Sequence, residues 1–244
     1  MYNIIKKNVY KLIPKRVLIQ NEQLIRKMIS FFYKGNTNLC TICNSKLKHF
    51  IEQKEKGKLC PNCGSLPRNR RLWTLLNNEY LQKDMLIIDF SPSRCLYRKL
   101  KKIKTINYIA SDLSDDFIAE YNYDITNINA KENQFDLIIC YHILEHVIED
   151  SKAIKELRRV LKQDGKILIQ TPFKEGNIYE NFAITKPEER LKHFGQEDHV
   201  RIYSIEGLKS RLEQESLKVE IRDYKNYDDY LGLVPEVILV VSKN

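Results

Sequence analysis

The chain has 244 residues, 43% hydrophobic and 30% charged, with 8 glycines and 7 prolines. That is room for one domain of about 150 residues and a smaller unit; it excludes collagen-like and low-complexity chains, and no window nears the roughly 20 apolar residues of a membrane span. The net charge of +9 divides unevenly: residues 1–83 carry 17 Lys and Arg against 4 Asp and Glu, and residues 84–244 carry 24 against 28. The basic part suits a phosphate-bearing partner, or else it is a solvated surface.

Residues 1–37 read as a basic amphipathic segment. Ile4, Ile5, Val9, Leu12 and Ile13 fall on helical spacing among lysines, and Leu24, Ile25, Met28, Ile29 and Phe32 repeat the pattern, with Pro14 between two helices. Such a stripe can lie on an anionic membrane surface or pack against protein. The start lacks the uninterrupted apolar run and small-residue cleavage site of a secretory signal. The expected location is therefore cytoplasmic, with peripheral attachment at the inner membrane surface as the further option.

Residues 38–83 hold Cys40-x2-Cys43 and Cys60-x2-Cys63, the spacing of a four-thiolate zinc ribbon followed by a linking helix. Each pair turns two sulfurs toward one ion, and Pro61 and Gly64 suit the second turn. Two disulfides would need an oxidising compartment, and redox-active pairs a thioredoxin-like setting. With all four ligands cysteine, no coordination position is left open, so the zinc is expected to be structural. Cys140 sits in an apolar run as a small core residue, and Cys95 follows a candidate ligand loop.

Residues 84–244 alternate strand and helix. Strands are predicted at Leu86–Phe90, Asn107–Ser111, Tyr121–Ile125, Phe135–Tyr141 and Lys166–Thr171. Helices are predicted at about 94–102 and 150–162, the second capped by Gly165. A helix (204–215) and strands at 217–224 and 236–242 close the domain. This is an α/β fold in which ligands lie at the carboxyl ends of the strands. Asp89, Asp112 and Asp124 fall at such ends, where a carboxylate can accept the ribose hydroxyls of a nucleoside or simply cap its own turn.

Phe135-Asp136-Leu137-Ile138-Ile139-Cys140, followed by His142-Ile143-Leu144-Glu145-His146-Val147, resembles the fourth strand and following loop of the class I S-adenosylmethionine-dependent methyltransferases. Leu157 to Lys166 resembles their helix leading into strand five. More narrowly, Cys60 to Leu66 with Arg68, Arg71, Leu72 and Trp73, and Phe194 to Tyr203, resemble a bacterial subgroup. It carries a cysteine ribbon ahead of the methyltransferase fold and is associated with surface-glycan or lipid-linked sugar biosynthesis. The resemblance implies a Rossmann-like, mostly parallel sheet with an antiparallel last strand, and S-adenosylmethionine bound near Asp89, Ser91, Ser93, Asp112, Asp124, Tyr141 and His142. The family's first loop is usually glycine-rich; here it reads Asp89-Phe90-Ser91-Pro92-Ser93-Arg94. Ser93 and Arg94 are candidates for the cofactor's carboxylate.

Methylating a hydroxyl requires alignment and removal of a proton, work suited to histidine. His142, His146 and His199 lie in the resembling segments, with His193 just ahead of the last of them. The long connection at about 173–203 is expected to cover the acceptor. His199 is the first-choice base, oriented by Asp198 or Glu180, with His142 and His193 as further candidates. Arg201 would bind an acceptor phosphate or carboxylate, or belong to a structural network with His199. Glu145-His146 offers two ligands, too few for a metal site. The expected acceptor is a sugar, glycan or related small molecule. An RNA-modifying methyltransferase, with nucleic acid held by the ribbon, is disfavoured by the acidic large domain and by the lack of an Asn-Pro-Pro-Tyr-type motif after strand four. The remaining alternative is a non-catalytic, zinc-binding scaffold; the oligomeric state is not legible.

Overall fold

The computed structural model describes residues 15–53, 57–114 and 117–244, with side chains from residue 21 onward. The first predicted helix and Pro14 lie outside these residues. The chain divides into two compact units, Met1–Leu75 with Asn226–Val234 and Leu76–Lys225 with Pro235–Asn244.

In the first unit, helix α1 (Lys15–Phe31) precedes two short antiparallel ladders. Strand β1 (Lys34–Leu39) pairs with β2 (Lys46–Leu47), and β3 (Ile51–Gln53) with β4 (Gly57–Leu59). Helix α2 (Pro67–Leu75) follows, with proline at the first helical position, where a missing N–H costs nothing. The fully buried Arg70 ties the segment at 226–234 to the ladders. Its guanidinium donates to the carbonyls of Lys58 (2.9 Å), Ser65 (2.8 Å), Leu231 (2.9 Å) and Gly232 (2.5 Å), and stacks 4.2 Å from the Phe50 ring centroid.

The second unit is a six-stranded sheet flanked by helices. In chain order it comprises β5 (Leu86–Phe90), α3 (Arg94–Leu100), β6 (Asn107–Ser111), β7 (Phe135–Tyr141), α4 (Asp150–Val160), β8 (Leu161–Gln170), β9 (Tyr179–Glu180), α5 (Pro187–Phe194), β10 (Arg201–Ile202), α6 (Ile205–Gln214), β11 (Leu217–Tyr224) and β12 (Glu236–Lys243). The sheet order is β11-β12-β8-β7-β5-β6. Strands β6, β5, β7 and β8 are parallel, and β12 runs antiparallel to both neighbours, as the resemblance implies. Ile87, Ile88, Leu137, Ile138, Ile139, Ile167, Leu168 and Ile169 are all buried. That continuous apolar run marks strands covered on both faces.

Two expectations change. Tyr121–Ile125 is not a strand: among the described residues its pairing with the sheet is a single bridge, Ser111 to Tyr121. The Asp124 carboxylate accepts from the Thr126 N–H (2.8 Å) and hydroxyl (2.7 Å), a local turn that competes with a ladder. Gly165 does not cap α4, which stops at Val160. It lies inside β8, at an irregularity between the pairs Phe135–Leu161 and Leu137–Lys166. A Cβ there would meet the Leu161 side chain at 2.7 Å, so the missing side chain serves close packing.

Candidate active site

The site grows out of the carboxyl edge of the parallel strands, and two junctions there are built alike. The residue directly after β5, Ser91, and the residue directly after β7, His142, both take left-handed backbone, with φ of +48° and +57°. Each donates its N–H to the last carbonyl of the adjacent strand: Ser91 to Ser111 of β6 (2.7 Å) and His142 to Gln170 of β8 (2.8 Å). The chain thus turns sharply off the sheet at both points. Ser91 takes the conformation that glycine takes at no cost, at about 1 kcal/mol for a residue with a Cβ. The glycine-free first loop therefore still makes a tight turn. Non-glycine residues held this way gather at functional sites.

Four buried side-chain atoms around the β7 and β8 ends have no hydrogen-bond partner among the described residues: His142 Nε2, Glu145 Oε2, Gln170 Oε1 and Thr171 Oγ1. Buried polar atoms are normally satisfied; a group of orphans at one strand edge is what a polar ligand would complete. Gln170 and Thr171 escaped the sequence reading, although the strand-end rule that selected the aspartates applies equally to them.

The predicted cofactor residues have distinct surroundings. Asp89 is 2% exposed and its Oδ2 accepts from the Tyr108 hydroxyl at 3.0 Å. Burial raises its pKa to about 8, with the Tyr108 bond opposing the rise. Asp112, also buried, accepts from Ser91 Oγ (2.7 Å), Ser114 Oγ (3.0 Å) and the Phe117 N–H (3.3 Å). It holds the loops after β5 and β6 together. Asp124 is exposed and caps its own turn. Ser93 opens α3 without a side-chain cap and lies 3.4 Å from Cys95 Sγ, and Tyr141 ends β7 half-buried.

The histidines divide into two settings. In the first, His142 Nδ1 is 3.1 Å from Glu145 Oε1. Glu145 is buried, which alone would raise its pKa, but the His142 bond and charge hold it below the ordinary carboxylate range. In the second, His199 is 7% exposed, its ring edge-on to His146 with centroids 4.7 Å apart, and its Nδ1 is 3.3 Å from the Phe194 carbonyl. Burial first, then the neighbouring His146, lowers its pKa. His193 is exposed and shares a 2.8 Å hydrogen bond with the Tyr179 hydroxyl.

Glu180, expected to orient His199, is instead committed to Arg201 (2.9 Å) and Arg211 (2.5 Å). Arg201 has no exposed surface and also donates to the carbonyls of Leu144 (3.1 Å), Val147 and Ile148 (2.9 Å). Those four acceptors leave it no fork for an acceptor phosphate; it pins the loop after β7 to β10.

In the first unit, the four cysteines form two identical knuckles. Cys40 N–H donates to Ser45 O and Asn44 N–H returns to Cys40 O; Cys60 N–H donates to Ser65 O and Gly64 N–H to Cys60 O. Asn44 and Gly64 occupy the matching left-handed positions, at φ of +56° and +76°. Sulfur separations are 3.6 Å (Cys40–Cys63) and 3.7 Å (Cys43–Cys60), and all four thiols are free. A tetrahedron with zinc–sulfur bonds of about 2.3 Å spaces its sulfurs by about 3.8 Å, so the donor set fits that ion.

Residues 74–169 match the profile of a family described as a methyltransferase domain. A curated protein of Methanocaldococcus jannaschii, itself uncharacterized, is 28% identical over 134 residues, covering 50% of this chain and 58% of that one. The matched stretch is thus under two thirds of that relative's length. Among solved structures, an S-adenosylmethionine-dependent methyltransferase from Archaeoglobus fulgidus superposes with a TM-score of 0.51 at 16% identity, covering 72% of this chain and 91% of its own. The [4+2]-cyclase SpnF superposes with a TM-score of 0.52 at 13% identity, covering 80% and 87%. At these identities the superpositions establish the fold. Residues 74–169 thus match a methyltransferase-domain family, and the sheet that carries them has the fold of the superposed structures.

Proposed function

We propose that this chain is an S-adenosylmethionine-dependent methyltransferase that methylates a hydroxyl of a sugar or glycan intermediate, with His142 as general base. The carrying observation is the His142–Glu145 pair: Nδ1 is engaged by a buried carboxylate and Nε2 is buried with no partner. A carboxylate so placed orients the imidazole, with the Nδ1 proton toward Glu145. Nε2 is then the atom that takes the proton released as the acceptor hydroxyl is methylated. Bound S-adenosylmethionine supplies an electrophilic methyl group with a neutral thioether as leaving group. The turns at Ser91 and His142, with Ser93, Tyr141, Gln170 and Thr171, are the residues that would hold it. The sugar acceptor is supported by the likeness of residues 60–73 and 194–203 to the glycan-associated subgroup.

Two accessory roles belong to the same reading. The four cysteines hold structural zinc. The helix α1 face and the basic first 83 residues attach the protein to an anionic lipid surface, where a lipid-linked sugar would be found; among the described residues no helix is long and apolar enough to cross a membrane.

Calorimetric titration with S-adenosylmethionine tests the core of the proposal. One binding event per chain is expected. His142→Ala should keep cofactor affinity within a few-fold while turnover on a sugar acceptor falls at least about 100-fold, the usual worth of a general base. No heat at millimolar cofactor would leave a methyltransferase-like scaffold.

A further inference from the structure

The Glu145-His146 pair gains a third partner in the fold. Glu145, His146 and His199 each place one potential metal-ligating atom within 4.8 Å of the others. The backbone enforces the meeting, because the Val200 N–H donates to the Glu145 carbonyl at 2.9 Å. Among the described residues, each imidazole is tied at one nitrogen. His146 Nδ1 is 3.1 Å from Asp198 Oδ2, and His199 Nδ1 is 3.3 Å from the Phe194 carbonyl. A carbonyl and a carboxylate can only accept, so Nδ1 carries a proton in each ring and Nε2 is the nitrogen whose lone pair the neutral ring offers. That is the arrangement found around metal-ligating histidines. Glu145 is divided in the same way. Oε1 faces His142, while Oε2, on a side chain 1% exposed, has no partner among the described residues. A desolvated carboxylate oxygen without a hydrogen bond is costly unless a cation compensates it.

We propose that Glu145 Oε2 and the Nε2 atoms of His146 and His199 bind a divalent transition-metal ion of the zinc class, with Asp198 and the Phe194 carbonyl orienting the two imidazoles. Two imidazoles and one carboxylate suit zinc, cobalt, nickel or iron(II) rather than magnesium or calcium, which take all-oxygen sets. Three protein ligands leave a coordination position open, in contrast to the closed four-cysteine set. An oxygen bound there loses its proton more readily. Glu145 then joins the ion to the His142 pair. Ion binding itself does not depend on which acceptor, if any, is methylated.

The test is a titration of the purified full chain with cobalt(II) chloride, followed by calorimetry and absorption. Cobalt in the cysteine ribbon shows intense near-ultraviolet thiolate charge transfer; cobalt on nitrogen and oxygen shows only weaker visible bands. Wild type should take up one ion with visible bands and no added charge transfer. Affinity should fall at least about 100-fold in His146→Ala and about 10-fold in Asp198→Asn, the range seen when ligands and their orienting partners are removed. Both side chains are partly exposed, so the fold should survive either change. The wild-type spectrum decides on its own if a variant unfolds. Absence of the visible bands in wild type, or unchanged affinity in both variants, overturns the proposal. Titration with S-adenosylmethionine separates the two readings: cofactor heat without cobalt uptake defeats the metal site alone, and cobalt uptake without cofactor heat defeats the methyltransferase reading alone.

Discussion

Asp89 stands at the penultimate position of β5, covered by protein, with the Tyr108 hydroxyl as its one side-chain partner among the described residues. Its strand position was legible from the run Leu86 to Phe90; its burial was not, because burial is decided by β6, through Tyr108. With a folded pKa of about 8 against an ordinary 3.8, Asp89 is protonated in the native state while the unfolded chain has already released its proton. Stability from this group is therefore full below pH 4, and is lost as pH rises toward 8. Asp89→Asn should match wild type in urea near pH 4 and exceed it by several kcal/mol near pH 8; parallel pH profiles would refute this. Ser91 supplies a second check at this scale. Ser91→Ala keeps the left-handed strain and loses the Asp112 bond, for an expected cost of about 1–2 kcal/mol. Ser91→Gly loses the same bond but removes the strain, and should come out less destabilised in the same denaturation assay.

At the scale of elements, regular periodicity was readable and local competition was not. Strands β5, β6, β7, β11 and β12 carry the apolar runs that predict them, and α4 and α6 their helical spacing. Tyr121–Ile125 carried a similar run but lost to the Asp124–Thr126 turn, and β8 begins at Leu161 because the chain leaves helical backbone right after Val160. The ribbon was the most readable feature, since its chemistry is local: each knuckle closes within six residues, and the hydrogen bonds of the first recur in the second. Cys60→Ser should lower bound zinc by one equivalent per chain and melt the first unit; unchanged zinc content by elemental analysis would exclude the ribbon as the site. The β7 loop depends instead on one long-range residue. Arg201 meets three carbonyls and a carboxylate with no solvent to replace them. Removing it leaves buried acceptors unpaired, so Arg201→Met should cost about 3–5 kcal/mol, and Lys, with a point charge in place of a fork, should restore little of it. A urea midpoint within error of wild type for the Lys variant would show that geometry is not what the site requires.

At the scale of the whole molecule, the division of charge seen in the sequence meets an unpaired apolar face. Leu24, Met28 and Phe31 recur at four- and three-residue intervals along α1, with Phe32 just past its end, and all four are more than 60% exposed. Lys34 sits 5.0 Å from the Phe31 ring, placing a cation at the rim of that face. Spacing gave the stripe; only the structure shows that the described residues of its own unit do not cover it. Burying a large apolar side chain is worth about 1.5–3 kcal/mol, and each basic residue near an anionic surface adds about 1 kcal/mol. On the attachment proposed above, four such side chains within a segment of 17 basic and 4 acidic residues would supply the binding to anionic lipid without a spanning helix. The full chain should co-sediment with phosphatidylglycerol vesicles, weakly with phosphatidylcholine vesicles, and less as salt is raised. Met28→Glu with Phe32→Glu should abolish sedimentation while leaving S-adenosylmethionine binding unchanged, because neither residue belongs to the second unit. Equal binding to both vesicle types would mean that the charge division plays no part. No binding to either would mean that the exposed stripe serves protein contact, and analytical ultracentrifugation should then show self-association that the same double variant reverses.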